Sequence, residues 1–201
     1  MRNGSVLLYI SFIALNCIYV ADVFAIVNFY SDGVIDAGTP NSSVYTWNIA
    51  NINMTGGTIL SLDEFNSSRV NIQAGLISQG TSLWNQSQLS LTSGQIGLFL
   101  EVHDSAVADL RGGILEGWLY AADDSVVNIY GDGFNYDPLA GTKNGGLLTG
   151  FWASGQTFSL NLLDNLETET ITYEHVVLHE IPEPASLLLL GLGVIFLRRR
   201  K

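Results

Sequence analysis

The feature that most constrains the fold of this chain is a repeat of 18 to 20 residues in its middle part. Equivalent positions fall at Gly57, Gly75, Gly94, Gly112 and Asp132. Two residues after each stands an apolar side chain, at Ile59, Ile77, Ile96, Ile114 and Phe134, and five residues before each stands another, at Ile52, Val70, Leu89, Val107 and Val127. Apolar columns that recur at the full period indicate stacked coils, because one coil cannot bury its apolar face alone.

Short strands with polar turns fill each repeat. Apolar and polar residues alternate at 70–72, 89–91 and 127–129, and serines follow Asn- or Asp-containing turns before the strands. Alternation is the pattern of a strand with one buried face, and these turn residues hold tight corners. The sequence therefore predicts an all-β fold, a short parallel β-solenoid of about five 18–20-residue coils over residues 51–135. An antiparallel sandwich is the alternative, but it gives no reason for columns at the full period.

The flanking segments are expected to cover the open ends of the solenoid, since bare strand edges promote aggregation. Residues 26–50 supply apolar residues for amino-terminal cap strands. Residues 134–146 are expected to form a loop, and the remainder of 136–180 to supply carboxy-terminal capping strands.

Charge is distributed very unevenly along the chain. There are 8 Lys and Arg residues against 19 Asp and Glu, a formal net charge of −11. Between the two termini the only cations are Arg69, Arg111 and Lys143. Such a surface cannot neutralise a phosphate backbone, so we expect no nucleic-acid partner.

The first 25 residues have the composition of a secretory signal peptide. Arg2 precedes the apolar run 6–20, and Val23-Phe24-Ala25 has spacing suited to signal peptidase, so cleavage is expected after Ala25. The segment is expected to form a signal helix. The single cysteine, Cys17, would leave with it, so no disulfide is expected in the exported chain.

The last 21 residues carry three features in a fixed order. Pro182, Glu183 and Pro184 precede the apolar stretch 185–197, which is followed by Arg198, Arg199, Arg200 and Lys201. Thirteen helical residues span about 20 Å, short for a bilayer core of about 30 Å. The expected short transmembrane helix is thus a marginal anchor, with its basic end inside the cell.

These residues, over 181–201, resemble the PEP-CTERM sorting signal of Gram-negative bacteria. The resemblance implies transient inner-membrane insertion and processing near Pro-Glu-Pro by a membrane transpeptidase of the exosortase type. An ordinary membrane anchor is the alternative. The repeats also resemble those of PEP-CTERM surface proteins and, more loosely, autotransporter passenger domains, on phrases such as Val70-Asn71-Ile72-Gln73-Ala74-Gly75 and Val126-Val127-Asn128-Ile129-Tyr130-Gly131.

Few residues point to chemistry. His175 and His179 are four apart on a predicted strand, yet no third ligand stands at a supporting position, so we expect no metal site and no cofactor. The turn around Asp132 offers oxygen ligands, but Lys143 occupies the closing position of a calcium loop. No nucleophile elbow or phosphate loop is present.

A carbohydrate-active β-helix is the sharpest alternative. A lyase would need cations, but Arg69 and Arg111 do not share a column. A hydrolase would need two carboxylates, for which Asp109 with Glu116 and Glu101 with Asp104 are candidates. Sugar binding alone would suit exposed aromatic residues, for which the candidates are Trp84, Trp118 and Tyr120.

The sequence thus predicts a secreted, non-enzymatic surface or matrix protein. Association with exopolysaccharide or biofilm is what the family resemblance implies. The alternative is a carbohydrate-binding or carbohydrate-active β-helix protein.

Overall fold

The computed structural model describes residues 26–181, and this part of the chain is almost entirely β. Its elements are β1 (Ile26–Phe29), β2 (Gly33–Ile35), β3 (Ser43–Thr46), β4 (Asn51–Ile59), β5 (Ser61–Glu64), β6 (Arg69–Ile77), β7 (Gly80–Leu83), β8 (Gln88–Leu91), β9 (Gln95–Ile96), β10 (Phe99–Val102), β11 (Val107–Leu110), β12 (Ile114–Leu115), β13 (Trp118–Ala121), β14 (Val126–Asp137), β15 (Leu147–Trp152), β16 (Thr157–Leu162), the 3₁₀ helix η1 (Thr172–His175) and β17 (Val176–Glu180).

The strands stack in parallel ladders, one above another along a common axis. The first ladder contains β1, β3, β5, β7, β10, β13 and part of β16. The second contains β2, β4, β6, β8, β11, β14 and β17. A short third ladder joins the ends of β4 and β6 to β9 and β12. This is a parallel β-solenoid of about five turns, as the repeat predicted.

The register of the second ladder corrects the predicted column in its fourth coil. Paired positions are Ile52, Val70, Leu89, Ala108 and Val127, so the steps are 18, 19, 19 and 19 residues. The apolar pattern predicted Val107 at the position that Ala108 occupies. By the same one-residue error it predicted Gly112 and Ile114 at positions that Gly113 and Leu115 occupy. Ile114 is 56% exposed, whereas Leu115 is buried, because a shift of one residue moves a strand side chain to the opposite face.

The turn that enters the second ladder is built the same way in every coil. Its corner residue has a positive φ of 55–63° at Asn48, Asn66, Asn85, Asp104 and Asp123. Each of the backbone amides of Asn66, Asn85 and Asp104 donates to the side chain of the next corner residue, over 2.8–3.1 Å. Asn and Asp tolerate this backbone conformation, so the polar turns are structural and align the coils.

The interior of the solenoid is mainly apolar and also contains several buried polar side chains. Buried Ile, Leu, Val and Met side chains from all three ladders form a single core. Near its amino-terminal end the core also contains Thr46, Glu64, Ser68 and Ser87, each buried. The Thr46 hydroxyl donates to the Ser68 hydroxyl over 2.9 Å, whereas neither carboxyl oxygen of Glu64 has a hydrogen-bond partner among the described residues.

The two ends of the described solenoid differ. At the carboxy-terminal end β14 continues to Asp137 and pairs antiparallel with β15, which pairs antiparallel with β16. The loop expected from residue 134 is therefore wrong for its first four residues, which extend β14. At the other end, β1, β2 and β3 lie within the segment 26–50 that we expected to be a cap, and they pair in the same parallel ladders as the later coils.

Candidate functional site

The carboxy-terminal strand leads directly into the proline-containing tail. Strand β17 pairs with β14 along its whole length, from Val127 with Val176 to Gly131 with Glu180. The Ile181 amide then donates to the Gly131 carbonyl over 2.8 Å, and Pro182 follows immediately. The described part of the chain therefore ends on the outermost strand of the second ladder, immediately before Pro182.

Side-chain contacts on the outer face also hold β17 against the solenoid. The His179 Nε2 atom lies 2.9 Å from the Asn128 Oδ1 atom, and the His179 ring stacks on Tyr130 with centroids 4.4 Å apart. The Arg111 guanidinium lies 3.5 Å from the centre of the same Tyr130 ring. These contacts fix the point from which the tail departs.

The two histidines do not share one face of a strand, which corrects the sequence prediction. His175 lies in η1, where its Nδ1 atom is 3.1 Å from the Ser125 carbonyl oxygen, whereas only His179 lies in β17. Within residues 26–181, no group of three or more His, Cys, Asp or Glu side chains is arranged to hold a metal ion.

Aromatic rings that directly follow the strands of the first ladder stack into an aromatic ladder. Trp47 stacks on Phe65 with ring centroids 4.4 Å apart, and Trp84 stacks on His103 at 4.0 Å, with interplanar angles of 13° and 3°. Because these rings stack on one another from coil to coil, many of their faces are already covered. Stacking on a sugar ring needs an exposed aromatic face, which this arrangement provides poorly.

The three aromatic candidates for sugar binding are each engaged in protein contacts. Trp84 stacks on His103 in the aromatic ladder, and the Tyr120 ring lies against the same His103 ring with centroids 5.5 Å apart. Trp118 stacks on Phe99 at 5.7 Å, and the Lys143 ammonium lies 4.2 Å from its ring centre. All three are half-buried.

The candidate carboxylates mostly serve the coil structure. Asp104 accepts from the backbone and side-chain amides of Asn85 over 2.8 and 3.1 Å. Asp109 accepts from the Asn128 amide over 2.9 Å and lies 3.9 Å from the Arg111 guanidinium. Arg111 follows β11, whereas Arg69 begins β6 and pairs with Gln88, so the two arginines are in different columns.

A groove of about 850 Å³ lies beside the third ladder. It lies between the glycine corner of three coils and the turn that joins β15 to β16. It is lined by Gly75, Thr92, Ser93, Gly94, Gln95, Arg111, Gly112, Gly113, Ile114, Trp152, Ser154, Gln156 and Thr157, and we call it the glycine groove.

Glycine is required at the floor of this groove. Gly94 and Gly113 have φ values of +88° and +83°, and a Cβ on either would lie 3.0 Å from the carbonyl oxygen of the glycine in the preceding coil. The Trp152 indole N–H donates to the Gly113 carbonyl over 3.2 Å, and its ring stacks on Phe158 at 4.2 Å. The hairpin turn is thereby held over one end of the groove.

Sequence reasoning did not identify this site. The glycine column was visible as a period marker, and it indicated a corner without side chains. The second wall comes from Ser154, Gln156 and Thr157, which are 40 or more residues away in sequence from Gly113. The β15–β16 hairpin that carries these residues is not part of the repeat, so no periodic pattern in the sequence predicts it.

A smaller cavity of about 450 Å³ lies on the other side of the solenoid and is acidic. Its lining includes Glu101, His103, Asp164 and Glu167. The His103 Nε2 atom is 3.7 Å from a Glu101 carboxyl oxygen, and Asp164 accepts from the Thr172 amide over 2.9 Å. Burial raises the pKa of the nearby Asp63 carboxyl, an effect opposed by its hydrogen bond with Ser82 and reinforced by the Glu101 charge.

The residues predicted to direct export and sorting lie outside the described part of the chain. They are Ala25, Pro182, Glu183, Pro184, Arg198, Arg199, Arg200 and Lys201, together with the predicted signal and transmembrane helices. Among residues 26–181, no helix has the length and apolar character needed to span a bilayer.

Comparison with known protein families identifies the tail. Residues 180–201 match the PEP-CTERM protein-sorting motif, and the match begins at Glu180, the last residue of β17. The chain thus carries a bacterial sorting motif, which implies export, surface sorting and processing by an exosortase. Searches of curated proteins and of solved structures find no match to the chain.

Proposed function

We propose that this chain is a non-enzymatic protein of the bacterial surface or extracellular matrix that associates with exopolysaccharide. The observation that carries the proposal is the sorting motif, which begins at the last residue of the edge strand of the solenoid. A structural or ligand-presenting role needs a stable, repetitive body delivered outside the cell, and this arrangement provides one.

Export in this proposal begins with the signal peptide and cleavage after Ala25. The short helix 185–197 then holds the precursor transiently in the inner membrane of a Gram-negative cell, until exosortase acts near Pro-Glu-Pro. Asparagine and serine recur at the corners and on the outer face of the second ladder, where Asn53, Asn71, Ser90 and Asn128 occupy equivalent positions. Their hydroxyl and amide groups are compatible with a hydrated polysaccharide matrix.

The non-enzymatic part of the proposal is supported by the content of the glycine groove. Glycoside hydrolysis requires a pair of carboxylic acids beside the scissile bond. The lining of the groove contains neither a carboxylate nor a histidine, and Arg111 is its one charged residue.

A carbohydrate-active enzyme is the second candidate function, and the acidic cavity is the observation that favours it. Glu101, Asp164 and Glu167 line one concavity with His103. If this were an active site, the purified protein would release reducing ends from a polysaccharide, and Glu101→Gln would abolish the release. We expect no release from either protein.

Replacing Glu183 by Ala should leave unprocessed precursor in the membrane fraction. The motif is the element that exosortase is inferred to recognise, and the short helix then keeps the uncleaved chain in the bilayer. Mass spectrometry of both ends of the surface-released protein measures the outcome, and it also tests cleavage after Ala25.

Glu174→Ala is the matched control for this experiment. Glu174 is an exposed glutamate of η1 that lies nine residues before Glu183 and outside the matched residues 180–201, so its loss should leave processing unchanged. If wild-type surface material still ended at Lys201, the tail would be a plain anchor and the sorting part of the proposal would be wrong.

A further inference from the structure

We infer that the glycine groove binds a segment of a neutral polysaccharide chain. This inference rests on the proposed function and names the surface that would contact the glycan. The groove spans the corners of three stacked coils, at Gly75, Gly94 and Gly113. Two inter-strand spacings give a floor of about 10 Å, which accommodates a short stretch of extended oligosaccharide.

The charge of the groove favours a neutral ligand. Arg111 is its one charged lining residue, and the guanidinium lies 3.9 Å from the Asp109 carboxylate and packs over Tyr130. The local charge is thereby balanced, while the whole chain carries a formal −11. A polyanionic chain would approach against this field, whereas a neutral chain would not.

The polar side chains of the groove complement hydroxyl groups. Ser93, Gln95 and Gln156 each offer both donor and acceptor atoms. The Thr92 hydroxyl is occupied, because it donates to the Ile72 carbonyl over 3.2 Å, whereas Ser93 is exposed and Gln95 is half-exposed in the groove. Sugar hydroxyls likewise act as donors and acceptors, so each amide can form paired hydrogen bonds with one ring.

The groove offers few apolar side chains that could anchor a peptide. Ile114 is the exposed aliphatic residue in the lining, while Trp152 is 4% exposed and belongs to the wall. Peptide grooves depend on buried apolar or aromatic anchors, which this surface does not offer. A polyhydroxylated chain needs only shallow polar contacts over a flat floor.

The test uses the full chain in detergent micelles and a fixed set of probes. The neutral probes are cellotetraose, laminaritetraose, maltotetraose and mannotetraose, and the other two are tetragalacturonate and a Gly-Ser decapeptide. The double variant Gln95→Ala with Gln156→Ala removes groove amides from two different walls. The control pair, Gln79→Ala with Gln88→Ala, removes exposed amides outside the groove.

We expect calorimetry to detect binding of at least one of the neutral tetrasaccharides to the wild-type chain. The groove double variant should weaken that affinity about tenfold or more, through loss of two hydrogen-bonding amides, while the control pair leaves it unchanged. Equal melting temperatures of both double variants would show that the fold is intact. Absence of neutral binding, preference for tetragalacturonate or the decapeptide, or equal loss in both double variants would overturn the inference.

Sedimentation with exopolysaccharide from the producing strain separates this inference from the proposed function. If the wild-type chain and the groove double variant sedimented equally with the polysaccharide, the groove would be the wrong surface while the proposed association would stand. If the wild-type chain did not sediment with it at all, the proposed association itself would fail, whatever the tetrasaccharides showed.

Discussion

Ile96→Ala is expected to lower the free energy of unfolding of residues 26–181 by about 2 to 4 kcal/mol, the transfer and cavity terms together. Ile96 is fully buried and is paired in the third ladder with Ile77 on one side and Leu115 on the other. Coils above and below hold the cavity open, so little of the loss is recovered by relaxation. Ile96→Asp should cost more, because it buries an unpaired carboxylate.

Asn71→Ala is the comparison for this experiment. Asn71 is half-buried on the outer face of β6, where its amide donates to Asn53 over 3.2 Å. Losing one partly solvated hydrogen bond should cost about 0.5 to 1.5 kcal/mol. Urea unfolding of the two variants and of wild type measures the difference. Equal, small effects at both positions would contradict the coil register that places Ile96 inside.

The regular part of this fold is predictable from sequence because each coil repeats the same local requirements. Asn66 and Asn85 hold the same corner in successive coils, and Val70 and Leu89 fill the same interior column. Local turn preference and the burial pattern therefore agree at each repeat, and the period follows from either one. Because turn preference and burial pattern agree in successive coils, a repeat architecture can be predicted from its sequence.

In the fourth coil the apolar pattern alone predicts the wrong register. Ala108 occupies the interior column between Leu89 and Val127, and the neighbouring Val107 is the larger apolar residue. Val107 fits the apolar column better than Ala108 by size and hydrophobicity, which is why it was predicted there. The strand instead keeps a 19-residue spacing from Leu89 to Ala108 and from Ala108 to Val127, since a one-residue slip would turn every side chain of that strand over.

The sorting tail and the glycine groove also differ in how far the sequence predicts them. The sorting tail is a linear motif whose order of residues suffices to identify it. The glycine groove depends on a hairpin that folds back over the coils, so Gln156 and Gln95 line one groove only through tertiary packing. The extension of β14 to Asp137 that begins this hairpin also carries no repeat signal, which is why a loop was expected there.

Replacing Glu64 by Leu should stabilise the solenoid by about 1 to 3 kcal/mol at pH 7, the usual cost of leaving a buried polar group without a partner. Glu64 is fully buried between Thr46 and Leu83 in the first ladder, and both carboxyl oxygens lack hydrogen-bond partners among the described residues. Leucine at this position would continue the apolar interior that Leu83 begins.

The same residue should make the stability of the wild-type chain fall as pH rises. Burial raises the pKa of the Glu64 carboxyl well above its ordinary value of 4.5, so the folded state keeps a proton that the unfolded state releases. Folded molecules then bind more protons than unfolded ones, and the free energy of unfolding declines from about pH 4.5 up to the raised pKa. Below that range the carboxyl is neutral in both states.

Glu64→Gln isolates this titration from the rest of the molecule. Glutamine keeps a polar side chain of the same size but cannot ionise, while Asp63 and the other carboxyls titrate in both proteins and cancel on subtraction. Urea unfolding of the variant and wild type at pH 4, 6 and 8 should therefore give a difference in stability that grows with pH in favour of glutamine. A difference independent of pH would mean that Glu64 is ionised and solvated in the folded state, and that the interior of these coils admits water.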